Sequence, residues 1–231
     1  MNICGLQKLS LLDFPGCVAA TVFFGGCNFR CPFCHNASLV LPERIEPAVT
    51  EAEFLAFLVK RVGRLDGVCI TGGEPLLQKD ILPFIERIRA LGYRIKLDTN
   101  GSRPDRLRAL IEAGAVDYVA MDIKNSPARY GETVGIPDFD LTPIRESVSL
   151  LLEGRVPYEF RTTVCAPLHT EADIAAAGDF ISGAAAWFLQ GFRDSGDLVG
   201  QGISALSREE CEALLAVARK KIPNATLRGL D

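Results

Sequence analysis

The sequence predicts an α/β fold of six strand–helix units arranged as an open, partial TIM-like (β/α)6 barrel. Three observations lead there. Short apolar runs alternate with stretches of helical period, at intervals of roughly 30 to 40 residues. The helical stretches carry readable start and stop signals. Polar and glycine-rich residues then follow one apolar run after another, as where ligands gather at the C-terminal edge of a parallel sheet. Such alternation implies parallel strands joined by right-handed crossovers. Six units are too few for a closed eightfold barrel, and a doubly wound sheet is the alternative architecture.

The expected strands are 18–24, 67–71, 94–98, 118–123, 158–164 and 186–192. Between them, Thr50 with Glu53 forms a capping box ahead of Phe54, Leu55, Phe57, Leu58 and Val62. A helix over 80–91 ends at Gly92, and one over 104–113 ends at Gly114. Thr142 and Pro143 read as cap and first-turn proline of a helix that stops at Gly154. Stretches 170–180 and 207–222 complete the set.

At 231 residues, 48% hydrophobic and 23% charged, the chain fits one domain over 1–231 with a sizeable core. A net charge of −4 and the lack of an extended Lys/Arg cluster argue against a nucleic-acid partner. No run of eighteen apolar residues and no basic-then-apolar leader is present, so a soluble, cytoplasmic protein without membrane contact is expected. Eight cysteines then read as thiols rather than a disulfide framework. Cys4, Cys17, Cys69, Cys165 and Cys211 stand singly among apolar neighbours and read as packing residues.

The expected strand ends carry the chemistry. "GGCNFRCPFCHN" (25–36) follows the first, "TGGEP" (71–75) the second, "LDTNG" (97–101) the third and "MDIK" (121–124) the fourth. Arg161 lies in the fifth and Gln190 in the sixth. Gly72 and Gly73 allow a backbone to pass close to a ligand, or simply a tight turn, and Glu74 offers an acceptor for an ammonium group. Asp98 and Asp122 end neighbouring strands, where paired carboxylates bind a cation or share hydrogen bonds. Lys124 offers a charge for a carboxylate, or pairs on the surface with Asp122. Cys27, Cys31 and Cys34, spaced C-x3-C-x2-C, are one thiol short of a tetrahedral zinc site, and no second knuckle is visible. A [4Fe–4S] cluster held at three irons, its fourth iron open to a ligand, explains the shortage better.

That spacing after the first strand, with Phe33 before the last cysteine and "GGEP" after the second strand, resembles the radical S-adenosylmethionine (SAM) superfamily, whose partial barrel it shares. The resemblance implies that SAM chelates the open iron and is cleaved reductively to methionine and a 5′-deoxyadenosyl radical, the cofactor carrying the difficult chemistry. "SLLDFPG" (10–16), "LDTNG" and "MDIK" narrow the resemblance to the activating enzymes of glycyl-radical proteins. "GLQKLSLLDFPG" and "FRTTV" look most like the branch acting on anaerobic ribonucleoside-triphosphate reductase. The implied activity is removal of a glycine Cα hydrogen from that partner, with a low-potential donor such as flavodoxin or ferredoxin.

Carried over by motif, Cys27, Cys31 and Cys34 bind the cluster, and Phe33, Cys34 and His35 contact the adenine side of SAM. Gly72, Gly73 and Glu74 meet its amino group, while Asp122 and Lys124 hold the ribose and carboxylate region. Arg161 is a second carboxylate anchor. By analogy with pyruvate formate-lyase activase, Asp98 and Asp122 also hold a monovalent cation. Asp13, within a partner-contacting segment 1–16, meets the glycine loop. Gln190 stands where that activase has a histidine. No cysteine lies between Cys34 and Val68, so a single cluster is expected. The rival expectations are a radical SAM enzyme acting on a small molecule or another peptide, and a zinc adaptor or electron carrier. The chain runs only a short way past its last expected helix, with no substrate domain, which favours the activase.

Overall fold

The computed structural model describes residues 1–230; Asp231, part of the domain expected over 1–231, lies outside the described residues. All six expected strands form: β2 (Ala19–Phe24), β3 (Gly67–Gly72), β4 (Arg94–Thr99), β5 (Tyr118–Asp122), β6 (Tyr158–Val164) and β7 (Trp187–Gly191). They pair in parallel and in sequence order. Sequential order is the signature of a barrel and excludes the doubly wound alternative, in which strand order reverses at a switch point.

Two edge strands were not expected. β1 (Ile3–Ser10) runs antiparallel to β2, and β8 (Ala225–Arg228) adds in parallel to β7. β1 lacks an apolar signal because only Ile3 and Ser10, at its two ends, are buried. β8 is four residues long and lies in the short stretch past the last expected helix. Within the described residues β1 and β8 do not pair with each other, so the sheet stays open.

Helices cover the outer face. α1 (Ala37–Val40) and α2 (Glu51–Val59) precede β3, α3 (Ile81–Arg89) precedes β4, and α4 (Pro104–Glu112) precedes β5. α5 (Tyr130–Val134) and α6 (Thr142–Leu152) lie between β5 and β6, α7 (Glu171–Phe180) precedes β7, and α8 (Arg208–Lys221) precedes β8. The Thr50–Glu53 capping box forms, and Thr170–Asp173 and Ser207–Glu210 make two more. At α6 the expected cap is displaced. Thr142 is already helical, and its N–H is taken by Asp140 Oδ1 at 2.9 Å. Asp140 thereby does the work assigned to Thr142.

The apolar core fills the space between helices and sheet, with Phe24, Ile70, Leu97, Val119, Phe160 and Leu189 fully buried. Residues on the other side of each strand point into the barrel. There the alternation places Lys96 and Asp98, Glu159 and Arg161, which explains a polar interior lined by strands that read as apolar runs.

Candidate functional site

A cavity of about 280 Å³ occupies the barrel interior and opens at the C-terminal strand ends. Its walls follow the period-two rule: Thr21 and Phe23 from β2, Thr71 from β3, Asp98 from β4, Asp122 from β5, Arg161 and Thr163 from β6, and Gln190 from β7. Because β2 and β7 contribute to one cavity, the sheet must curl. Of the fourteen site residues expected from sequence, thirteen line this cavity: Asp13, Cys27, Cys31, Phe33, Cys34, His35, Gly72, Gly73, Asp98, Asp122, Lys124, Arg161 and Gln190.

The exception is Glu74, expected at the SAM amino group. It is fully buried behind the wall. Its Oε1 accepts from Leu76 N at 3.0 Å and Thr99 Oγ1 at 2.8 Å, and its Oε2 from Asn100 N at 2.7 Å. Burial pushes its carboxyl up to about 7, against the pull of those donors. Glu74 therefore ties the end of β3 to the end of β4. The glycines before it serve the same closure. Gly72 has φ +123°, and a Cβ there would lie 2.3 Å from the backbone N and O of Phe24. At Gly73 a Cβ would lie 2.0 Å from Gly26 O. Gly73 N donates to Phe24 O and Glu74 N to Gly26 O, each at 2.7 Å, so "GGE" is stitched to the start of the cysteine loop.

That loop, 25–36, has no regular structure and is held both by its own Arg30 and from outside. Arg30 Nη1 donates to the carbonyls of Cys27 at 2.7 Å and Phe29 at 2.8 Å, while Arg30 N donates to Val134 O at 2.8 Å. Burial pushes the Cys27 thiol up to about 11 and the Cys31 thiol up to about 12, with Lys124 pulling both back. Such groups are protonated until a metal takes the proton's place. Among the described residues no three His, Cys, Asp or Glu side chains converge closely enough to hold one metal ion. Three thiols spread around a single cavity instead suit a cluster, where each binds a different iron. None of the other five cysteines lines the cavity. Four of those five are buried as expected, and Cys4 is half-buried.

From the barrel interior to the cysteine loop runs an alternating chain of charge: Lys96, Asp98, Arg161, Asp122, Lys124. Lys96 pairs with Asp98, and Arg161 Nη1 lies 3.2 Å from Asp98 Oδ2. Arg161 Nε lies 3.0 Å from Asp122 Oδ1, and Lys124 Nζ is 2.8 Å from Asp122 Oδ2. Burial opposes ionisation of both carboxyls, yet Arg161 and the adjacent lysines hold them below the usual carboxylate range. The Arg161 guanidinium thus lies between Asp98 and Asp122, the pair expected to hold a monovalent cation. Lys96, buried at the foot of this chain, was not anticipated from sequence. Its strand position alone marks it, as an inward residue two before Asp98.

Further supports came from residues sequence reasoning passed over. His169 Nε2 is 2.9 Å from Lys124 O, and its ring meets Phe33 edge-on at 6.1 Å. Asn100 Nδ2 faces Cys27 Sγ at 3.8 Å. Asp13 approaches from the other direction. β1 ends at Ser10 opposite Ala19, so the 11–18 loop lies at the N-terminal end of β2. From there Asp13 Oδ2 accepts from Thr21 Oγ1 at 2.6 Å and reaches the cavity from its far side.

An open barrel in sequence order thus gathers three thiols and a charged wall around one cavity. The pattern of the radical SAM superfamily matches residues 21–181, and the chain belongs to that superfamily. Membership implies a [4Fe–4S] cluster and SAM as cofactors, and an enzyme of oxidoreductase-type radical chemistry. The chain is 29% identical, over 99% of its length and 96% of the relative's, to a candidate glycyl-radical enzyme activating enzyme of Methanocaldococcus jannaschii. It is 32% identical to the 7-carboxy-7-deazaguanine synthase of Koribacter versatilis, over 64% of this chain and 62% of that one. Among solved structures, Streptococcus suis SuiB bound to precursor peptide SuiA superposes with a TM-score of 0.70 at 13% identity. The match covers 90% of this chain and 48% of that one, a likeness of fold. Among the described residues no helix is long and apolar enough to cross a membrane.

Proposed function

We propose that this protein is a glycyl-radical activating enzyme, and that anaerobic ribonucleoside-triphosphate reductase is its partner. One observation carries the reading. A single cavity joins the three-cysteine loop at one end to Asp13 at the other, so a cofactor and a second molecule can meet within it.

In this reading Cys27, Cys31 and Cys34 hold one cluster, which with SAM bound supplies the electron and the radical for hydrogen abstraction. Gly72 and Gly73 present bare backbone to SAM's amino end beside the loop, and Phe33 and His35 flank its adenine side. Lys124 and Arg161 attract its carboxylate. Both cations are fixed by Asp122, so neither must reorganise when an anion arrives. Gln190 offers hydrogen bonds on the β7 side. Asp13 meets the incoming glycine segment, and Leu9, Leu11 and Leu12 beside it are exposed by 57%, 68% and 90%, an apolar landing surface for a protein partner. The motifs "GLQKLSLLDFPG" and "FRTTV" favour the ribonucleotide reductase, and the whole-length relative supports the activase class. A flavodoxin or ferredoxin in the cytoplasm fits the need for a low-potential donor.

A second reading is a small-molecule radical SAM enzyme, favoured by the similarity to the deazaguanine synthase over 150 residues. Anaerobic reconstitution with SAM and reductant separates the two. The activase reading expects a glycine-centred electron paramagnetic resonance signal on the added reductase, together with 5′-deoxyadenosine. Turnover of a small molecule, with no radical on any glycyl-radical protein, would favour the second.

A further inference from the structure

The segment between β7 and α8 crosses the cysteine loop as a strap. The second half of that loop with the start of α1, residues 32–38, is poor in hydrogen bonds of its own. Cys34 N reaches Cys31 O, and α1 begins at Ala37 with no side-chain cap from Asn36. Orphan amides at a helix start must find acceptors elsewhere. They find them about 160 residues away in sequence. Ala37 N donates to Asp197 O at 3.1 Å and Ser38 N to Asp197 Oδ2 at 3.1 Å. The other oxygen of Asp197 pairs with Arg44, just beyond α1.

The carbonyls of the loop are taken by the same strap. Ser195 Oγ donates to His35 O at 2.9 Å, Val199 N to Cys34 O at 3.1 Å and Gly200 N to Pro32 O at 3.0 Å. At Gly200 a Cβ would lie 2.5 Å from Pro32 Cβ, so the two backbones lie in close contact. The strap is anchored at both ends. Phe192 N donates to Val164 O, and Ser204 exchanges two backbone bonds with Ala166. Its grip on 32–38 spans both sides of Cys34, yet Asp197 lies outside the cavity.

We propose that this strap sets the conformation of the Cys31–Cys34 turn, and that Asp197 is a positioning residue for cluster retention. The inference rests on Cys27, Cys31 and Cys34 being the cluster ligands. A cluster held by only three thiolates is lost when one of them swings away. The strap holds the Cys34 backbone, so its removal acts on retention before it acts on any later step.

The test uses the full chain with its cluster reconstituted anaerobically, in the absence of SAM and partner. Iron and sulfide per chain are measured, then the rate of loss of cluster absorbance under an iron chelator. Asp197→Ala should bleach at least fivefold faster than wild type. Asp197→Asn keeps an acceptor for Ser38 N and should restore most of the lifetime. Gly200→Ala disturbs the same contact independently and should resemble the alanine variant. Melting of the cluster-free proteins identifies any variant that fails to fold, in which case the remaining one decides. A wild-type lifetime in a folded Asp197→Ala or Gly200→Ala would overturn the proposal. Failure of the wild-type chain to take up iron would instead overturn the ligand assignment beneath it.

Discussion

Replacing Arg161 with Met isolates the central link of the charge chain. The side chain is 14% exposed and makes two charged contacts, at 3.2 Å to Asp98 and 3.0 Å to Asp122. Charged hydrogen bonds contribute about 1.5–3 kcal/mol each, and breaking a buried ion pair costs about 3–5 kcal/mol. Lys96 and Lys124 still face the two carboxylates, which sets the expected loss near the lower end, about 3 kcal/mol. Urea unfolding of the reduced, cluster-free protein measures it. At a slope of about 3 kcal/mol per molar the midpoint should fall by about 1 M. The pH dependence follows from the same contacts. Both carboxyls titrate in the folded protein below their ordinary value of 3.8. They therefore contribute stability that is present above 3.8 and lost as pH falls through their folded values. Methionine at 161 raises those folded values, so the acid-unfolding midpoint moves upward. A urea midpoint within about 0.3 M of wild type, with unchanged acid unfolding, would refute the view that Arg161 holds this wall together.

Glu74 carries the opposite dependence. Its folded carboxyl, near 7 against an ordinary 4.5, contributes stability that is full below 4.5 and lost as pH rises through about 7. Linkage makes that about 3 kcal/mol, and calorimetry at pH 5 and pH 8 should show a smaller difference for Glu74→Gln than for wild type. Leu12→Ser should weaken docking of the protein partner about tenfold, since burying one leucine contributes about 1.5–3 kcal/mol. It should leave partner-independent SAM cleavage unchanged, and equal partner titrations for both proteins would remove the apolar surface from the account. Cys31→Ala should hold less iron than wild type and form no 5′-deoxyadenosine; retention of both would refute the ligand assignment.

Much of this was legible in sequence because the chemistry sits at strand ends. The six central strands are apolar runs on their helix-facing side, and the motifs that follow them converge once the sheet curls. Thirteen of fourteen expected site residues line the cavity for that reason. What escaped detection was non-local or carried no apolar signal. β1 buries only its two ends, and β8 is four residues long. Lys96 reads as an exposed polar residue until the strand's inward face is known. Glu74 was placed at the ligand by its motif, yet its carboxylate is consumed by Leu76 N two residues on and by Thr99 and Asn100 at the end of β4, the last two being pairings no local pattern reveals. Asp197 caps a helix 160 residues before it, through a contact that exists only when β7 returns beside β2's loop.

The most direct test of the account is to mix the anaerobically reconstituted protein with SAM, a low-potential reductant and anaerobic ribonucleoside-triphosphate reductase. The electron paramagnetic resonance spectrum of the reductase is then recorded. The account predicts a glycine-centred radical on the reductase, accompanied by 5′-deoxyadenosine and absent from the Cys31→Ala variant. Formation of 5′-deoxyadenosine with no radical on the reductase would contradict the assigned partner, and absence of a radical on every glycyl-radical protein tried would contradict the activase itself.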